Sequence, residues 1–142
     1  MTTIFTRIID GEIPGRFVWT DDECVAFLSA DPLSTGHTLV VPRQEIDHWL
    51  DLDPALAGHL MRVSQVIGRA QREIFEPQRV GQMIQGFEVP HVHIHVWPVS
   101  STADFDFANA DHDPDPAVMD DAAQRIREAL RSAGHEAQVP QD

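Results

Sequence analysis

Apolar residues return every three or four positions through Leu56, Leu60, Val63, Ile67, Ala70 and Ile74. That spacing predicts an amphipathic helix with one buried stripe, and Arg62, Arg69 and Arg72 fall largely on the opposite side. Asp53 can cap its start, and Pro54 suits the first helical position. The stripe needs no cofactor to explain it, because covering a sheet is enough. Upstream, residues 17–20 and 24–29 are apolar-rich and are separated by Asp21-Asp22-Glu23, which reads as a hairpin. Residues 31–36 read as a loop. His37-Thr38-Leu39-Val40-Val41 reads as a strand ended by Pro42. Residues 80–85 form a weaker strand candidate, and residues 91–97 a strong one closed by Pro98.

The pattern changes near Ser100. Seven aspartates and no Lys or Arg fall between Asp104 and Asp121. Pro114 and Pro116 interrupt this stretch, and Asp115-Pro116 resembles a second helix start. Met119, Ala122, Ile126 and Leu130 then make a short apolar stripe. The expected organisation is a domain over residues 1–100 and an acidic extension over 101–142. The extension would hold a short helix laid on the domain, with residues 138–142 disordered.

Length and composition restrict the function. The chain has 142 residues and is 42% apolar, which suits one compact domain. Its net charge of -13 repels nucleic acid and anionic membranes at long range. A polymeric nucleic acid or a membrane is therefore not an expected partner, whereas a small phosphorylated ligand can be held by local donors. The single cysteine, Cys24, rules out an internal disulfide framework and fits a reducing cytosol. Residues 1–15 carry Arg7, Asp10 and Glu12 without a long apolar run, unlike a signal peptide. The expected location is cytoplasmic.

The chemistry concentrates in His91-Val92-His93-Ile94-His95-Val96-Trp97. In a strand, alternate residues share a face, so His91, His93 and His95 would line one side at about 7 Å intervals. Val92, Ile94 and Val96 would bury on the other. One histidine on a strand is commonly structural, but three in alternation are hard to explain as core. Two functional readings follow. Three histidines can bind zinc, yet three positions in a row converge poorly on one ion. Alternatively, the central imidazole attacks a phosphorus atom while its neighbours donate hydrogen bonds to phosphate and leaving group. A linear row suits that division of work.

Histidines alternating with apolar residues over 91–97 resemble the signature of the histidine-triad (HIT) superfamily. Ile4-Phe5-Thr6-Arg7-Ile8-Ile9-Asp10-Gly11-Glu12-Ile13-Pro14 is similar to that family's N-terminal segment. Gly36-His37-Thr38-Leu39-Val40-Val41-Pro42 is similar to its central strand. Together these cover roughly residues 4–98 in family order, and the chain looks most like small actinobacterial HIT-like proteins. The resemblance implies an α+β fold with an antiparallel sheet of about five strands, one long helix, and pairing into a homodimer. It implies His93 as nucleophile toward the α-phosphorus of a nucleotide conjugate. It implies that His91 sets the nucleophile's tautomer, that His95 contacts phosphate or leaving group, and that His37 supports the triad. It implies no cofactor for the chemistry.

Some family positions differ here. An aspartate that grips the ribose hydroxyls in many members falls on Ser29, with Asp31 two residues later. Before the triad, Phe87 and Glu88 stand where glutamine and a hydroxyl residue are common, leaving Gln85 and Gly86 as expected substrate contacts. Glu88 is expected to face solvent. Thr6 and Glu45 replace residues that hold structural zinc in some members, so no metal is expected. His48 and His59 are expected to be surface residues without special function.

Overall fold

The computed structural model describes residues 2–141. Its order is α1 (Ile4–Ile9), β1 (Phe17–Thr20), β2 (Cys24–Leu28), β3 (Thr38–Pro42), α2 (Pro54–Phe75), β4 (Arg79–Met83), β5 (Ile94–Val99) and α3 (Pro116–Ser132). The five strands form one sheet in the order β1-β2-β3-β5-β4, and every pairing is antiparallel. This is the α+β architecture that the resemblance implied.

Alternation along the strands divides the interior in two. Cys24, Ala26, Leu28, Val40, Ile94 and Val96 face α2 and α3 and join Leu60, Val63 and Ile67 in the larger core. Val25, Phe27, Leu39 and Val41 point the other way, onto Phe5 and Ile8 of α1. All five residues of β2 are buried for this reason: both of its faces are covered. A register shift between Phe17 and Trp19 lets Val18 and Trp19, though consecutive, both enter the larger core.

The long helix starts as its residues predict. Asp53 accepts from the backbone N–H of Ala55, and Pro54 occupies the first turn. The helix stops where Glu76 adopts φ 48°, ahead of Pro77. The acidic extension contributes an ordered helix. Asp115 caps α3, and Met119, Ala122, Ile126 and Leu130 enter the larger core. Val139 is also buried there, so the disorder expected from residue 138 onward is corrected as far as the described residues reach. Among the described residues, no helix is long and apolar enough to cross a membrane.

Two strand limits differ from expectation. Pro98 lies inside β5 rather than closing it. Its carbonyl accepts from the Ser34 hydroxyl at 2.8 Å, beyond the last β3–β5 pair. The missing N–H therefore faces no strand acceptor. At the other end, β5 begins at Ile94, not His91. Its pairing stops at Val40–Ile94 on the β3 side and at Met83–His95 on the β4 side, so residues 91–93 lie beyond both ladders. Instead, the Val92 N–H is held by the Ile46 carbonyl at 2.8 Å.

Candidate active site

The histidines keep their alternation through this irregular start. Val92, Ile94 and Val96 are buried toward one side, and His91, His93 and His95 are buried among different neighbours. Phe5 of α1 meets His91 and His93 edge-on, with ring centroids 5.8 and 4.7 Å away. The His93 and His95 rings lie 4.9 Å apart. His37 enters from the loop before β3 and stacks on Trp97 at 5.3 Å. Gly36 places it there. Its φ is +93°, and a Cβ at that position would lie 2.4 Å from the Phe75 ring, so only glycine fits.

Hydrogen bonds assign a proton to each ring. The backbone N–H of Leu33 donates to His37 Nδ1 at 2.9 Å. His37 Nε2 therefore carries the hydrogen and donates to His95 Nδ1 at 3.0 Å. The hydrogen on His95 is then on Nε2, a buried atom with no partner among the described residues. His93 Nδ1 donates to the His91 carbonyl at 2.8 Å, which leaves the lone pair on Nε2. His91 Nε2 donates to the Pro42 carbonyl at 2.7 Å, and its Nδ1 accepts from the Thr3 hydroxyl, also at 2.7 Å. Thr3 is tied in turn to Glu45, whose carboxylate accepts from the Thr3 N–H at 2.7 Å and the Thr6 hydroxyl at 2.6 Å. The tautomer of His93 is thus set by the backbone carbonyl of His91, and the His91 ring serves to fix that carbonyl in place.

Burial favours the neutral form of His37, His93 and His95. Desolvation, then the neighbouring His93, lowers His37 to about 4. Desolvation, then His37 and His93, lowers His95 to about 3. His93 is lowered chiefly by burial, and the His91 carbonyl and the charge of Glu88 oppose the shift. Both nitrogens of His37 and of His91 are engaged, so the triad does not present three convergent lone pairs to a metal ion.

A cavity of about 340 Å³ opens on this face of the sheet. His93, His95 and Ser29 line it, whereas His91 and His37 stand behind. Ser29 is buried and accepts from the Asp31 N–H at 3.3 Å. Gln85 and Gly86 do not reach the cavity. Glu88 is exposed to solvent yet lines the cavity edge, and Asp31 lies on the same rim. Asp31 pairs with His112 at 3.2 Å. The acidic extension closes one wall with Phe107, whose ring meets His95 at 5.1 Å. Sequence reasoning missed Phe5, Thr3, Phe107 and His112. Phe5 belongs to the N-terminal segment that resembles the family and Thr3 immediately precedes it, but no periodic pattern marks either as a site residue.

Residues 10–102, which include His37, His91, His93 and His95, match the HIT domain family. The chain belongs to the HIT domain family. An uncharacterized HIT-like protein from Methanocaldococcus jannaschii is 33% identical over 99 residues, spanning 67% of this chain and 77% of that one. The Bacillus subtilis protein called hit is 34% identical over 100 residues, covering 67% and 69%. Among solved structures, a HIT-like protein from Bartonella henselae superposes with a TM-score of 0.78 at 26% identity, covering 90% of this chain and 96% of that one. A zinc-bound histidine triad family protein from Mycobacterium smegmatis gives 0.80 at 27% identity, covering 94% and 96%. HIT-like relatives therefore occur in both archaea and bacteria.

Proposed function

We propose that this HIT protein is a nucleotide hydrolase or transferase that cleaves nucleoside monophosphate conjugates through a nucleotidyl-His93 intermediate. One observation carries the reading. In a network where other ring nitrogens are paired, the His93 Nε2 lone pair and the His95 Nε2–H are left over, and both rings line the cavity. A nucleophile and a hydrogen-bond donor side by side are what in-line displacement at phosphorus uses.

In the first step, His93 Nε2 forms a bond to the α-phosphorus, and the bond from phosphorus to the leaving group breaks. Positive charge develops on the imidazole. The His91 carbonyl, already bonded to Nδ1–H, stabilises it without rearranging. The His95 Nε2–H donates to a phosphate oxygen or to the departing atom. This satisfies a buried donor that otherwise costs about 1–3 kcal/mol. In the second step, water attacks phosphorus, the bond to His93 breaks, and a nucleoside monophosphate leaves. The scheme uses no metal and no organic cofactor. Ser29 supports a single ribose contact from the cavity wall. Gln85 and Gly86, carried over from family position alone, contribute only if the loop before His91 closes on the substrate. The free outer edge of β4 supports the expected homodimer, and the chemistry fits a cytoplasmic protein.

Purified protein should turn over at least one of a nucleoside phosphoramidate, an aminoacyl nucleotide or a dinucleoside polyphosphate, and His93→Ala should not. A second reading is a nucleotide-binding module with little turnover, favoured by the carboxylates of Glu88 and Asp31 on the rim. Calorimetry with AMP and GMP beside the turnover assay separates the two. Tight binding without turnover selects the module, and absence of both refutes each reading.

A further inference from the structure

Away from the histidine cavity, Asp21 collects donors from three parts of the fold. It sits in the turn between β1 and β2, where its Oδ1 accepts the backbone N–H groups of Glu23 and Cys24, both at 2.8 Å. Its Oδ2 accepts from Trp19 Nε1 at 2.8 Å and from His59 Nε2 of α2 at 2.7 Å. The Cys24 thiol donates to the same oxygen at 3.6 Å. His59, expected to be a bland surface residue, is thus partly buried and turned inward.

We propose that Asp21, Cys24 and His59 form a site for a zinc-class divalent cation, which clips the β1–β2 turn to α2 and is separate from the histidine cavity. The donor set is one carboxylate oxygen, one sulfur and one imidazole nitrogen, the types that zinc takes. Their ligand atoms all lie within 4.8 Å of one another. A tetrahedral zinc ion, with bonds of about 2.0–2.3 Å, places its ligand atoms about 3.3–3.6 Å apart. The thiol–carboxylate distance already fits. The imidazole, 2.7 Å from the carboxylate, must move out by about 0.6 Å, a shift within reach of its side-chain torsions.

Charge and orientation agree with this assignment. A thiolate and a carboxylate balance a divalent cation, and His59 binds as the neutral Nδ1–H tautomer. Binding releases the thiol proton to solvent. The metal-free thiol is held strongly protonated by burial, then by the charge of Asp21. A cation reverses that preference by bonding sulfur directly. The Trp19 hydrogen bond and the two backbone donors hold the carboxylate facing inward, as outer partners do around structural metals. Cys24 is fully buried, but the side chains of Asp21 and His59 keep 17% and 24% of their surface exposed. That exposure keeps the two ligands in contact with solvent, from which water can supply the fourth ligand. Thr6 and Glu45, which bond to each other beside His91, take no part in this cluster.

The test uses the full chain stripped with chelator and titrated with Co²⁺, then Zn²⁺. Expected are one equivalent bound per chain, a thiolate-to-cobalt charge-transfer band in the near ultraviolet, and a higher melting temperature with zinc. Cys24→Ser should abolish the band, His59→Asn should weaken binding at least tenfold, and His93→Ala should change neither. No band in the wild type overturns the proposal. So does full affinity in Cys24→Ser, or binding that vanishes in His93→Ala and therefore belongs to the triad. If Cys24→Ser does not fold, His59→Asn decides: unchanged affinity there rejects the site.

Discussion

The two faces of β5 put opposite demands on one stretch of backbone. On one face, Ile94 and Val96 pack against α2, where shape and apolar area suffice. On the other, His93 and His95 sit equally deep, but each ring nitrogen needs an assigned partner. The apolar face stabilises without specifying chemistry. The histidine face spends a backbone amide, two carbonyls and a threonine on fixing tautomers, and the two nitrogens it leaves over both belong to rings on the cavity. Along β5, depth of burial alone therefore does not separate core from site; the ring nitrogens left without a partner do.

Substitutions on the two faces should separate activity from stability. His93→Ala is expected to lower kcat by about 10⁴-fold, roughly 5.5 kcal/mol of barrier, with a melting temperature within a few degrees of wild type. Ile94→Ala, one residue away, should do the reverse. It should cost about 2–5 kcal/mol in urea unfolding, while turnover per folded molecule stays within about twofold. Equal effects of the two on stability would erase the contrast between faces.

Acid should destabilise the histidine face selectively. His37 and His95 are neutral in the fold, at about 4 and about 3, but bind a proton near 6.5 when unfolded. Below pH 6.5 the unfolded chain therefore holds more protons than the native one. Stability is fully present above 6.5 and falls as pH drops toward the folded values, by about 1.4 kcal/mol per ring for each pH unit. Urea midpoints between pH 7 and 4 measure this slope. His37→Phe should flatten it, and an unchanged slope would show that the ring is not the source.

Smaller effects test the supports of the site. Thr3→Val removes the hydroxyl bonded to His91 and should reduce kcat about tenfold with little change in KM, and Thr3→Ser should restore it. Glu88→Gln removes a charge that raises the His93 pKa. The proposed mechanism uses neutral His93, so the acid limb of kcat/KM should move to lower pH by a few tenths of a unit. A shift to higher pH would contradict the placement of Glu88 beside the nucleophile.

Much of this arrangement could be read from the chain because it is periodic or local. The α2 stripe, the Asp53 and Asp115 caps and the alternating histidines each repeat at the spacing of their element. What escaped was non-local. Thr3 meets His91 across 88 positions, and Phe107 reaches back to His95 only because the extension folds over the cavity. β5 starts at Ile94 rather than His91 because its ladders stop at Val40–Ile94 and Met83–His95, and the Val92 N–H turns to the Ile46 carbonyl instead. Gln85 and Gly86 were chosen by motif position, and the loop that carries them runs outside the cavity wall that Glu88 and Val89 complete.

The most direct measurement mixes the protein with a nucleoside monophosphate conjugate, quenches within milliseconds to seconds at alkaline pH, and maps any adduct by peptide mass spectrometry. The account predicts one nucleotidyl group on His93, absent from His93→Ala and formed no slower than turnover. Turnover that proceeds with no adduct, or with the group on another residue, would contradict it.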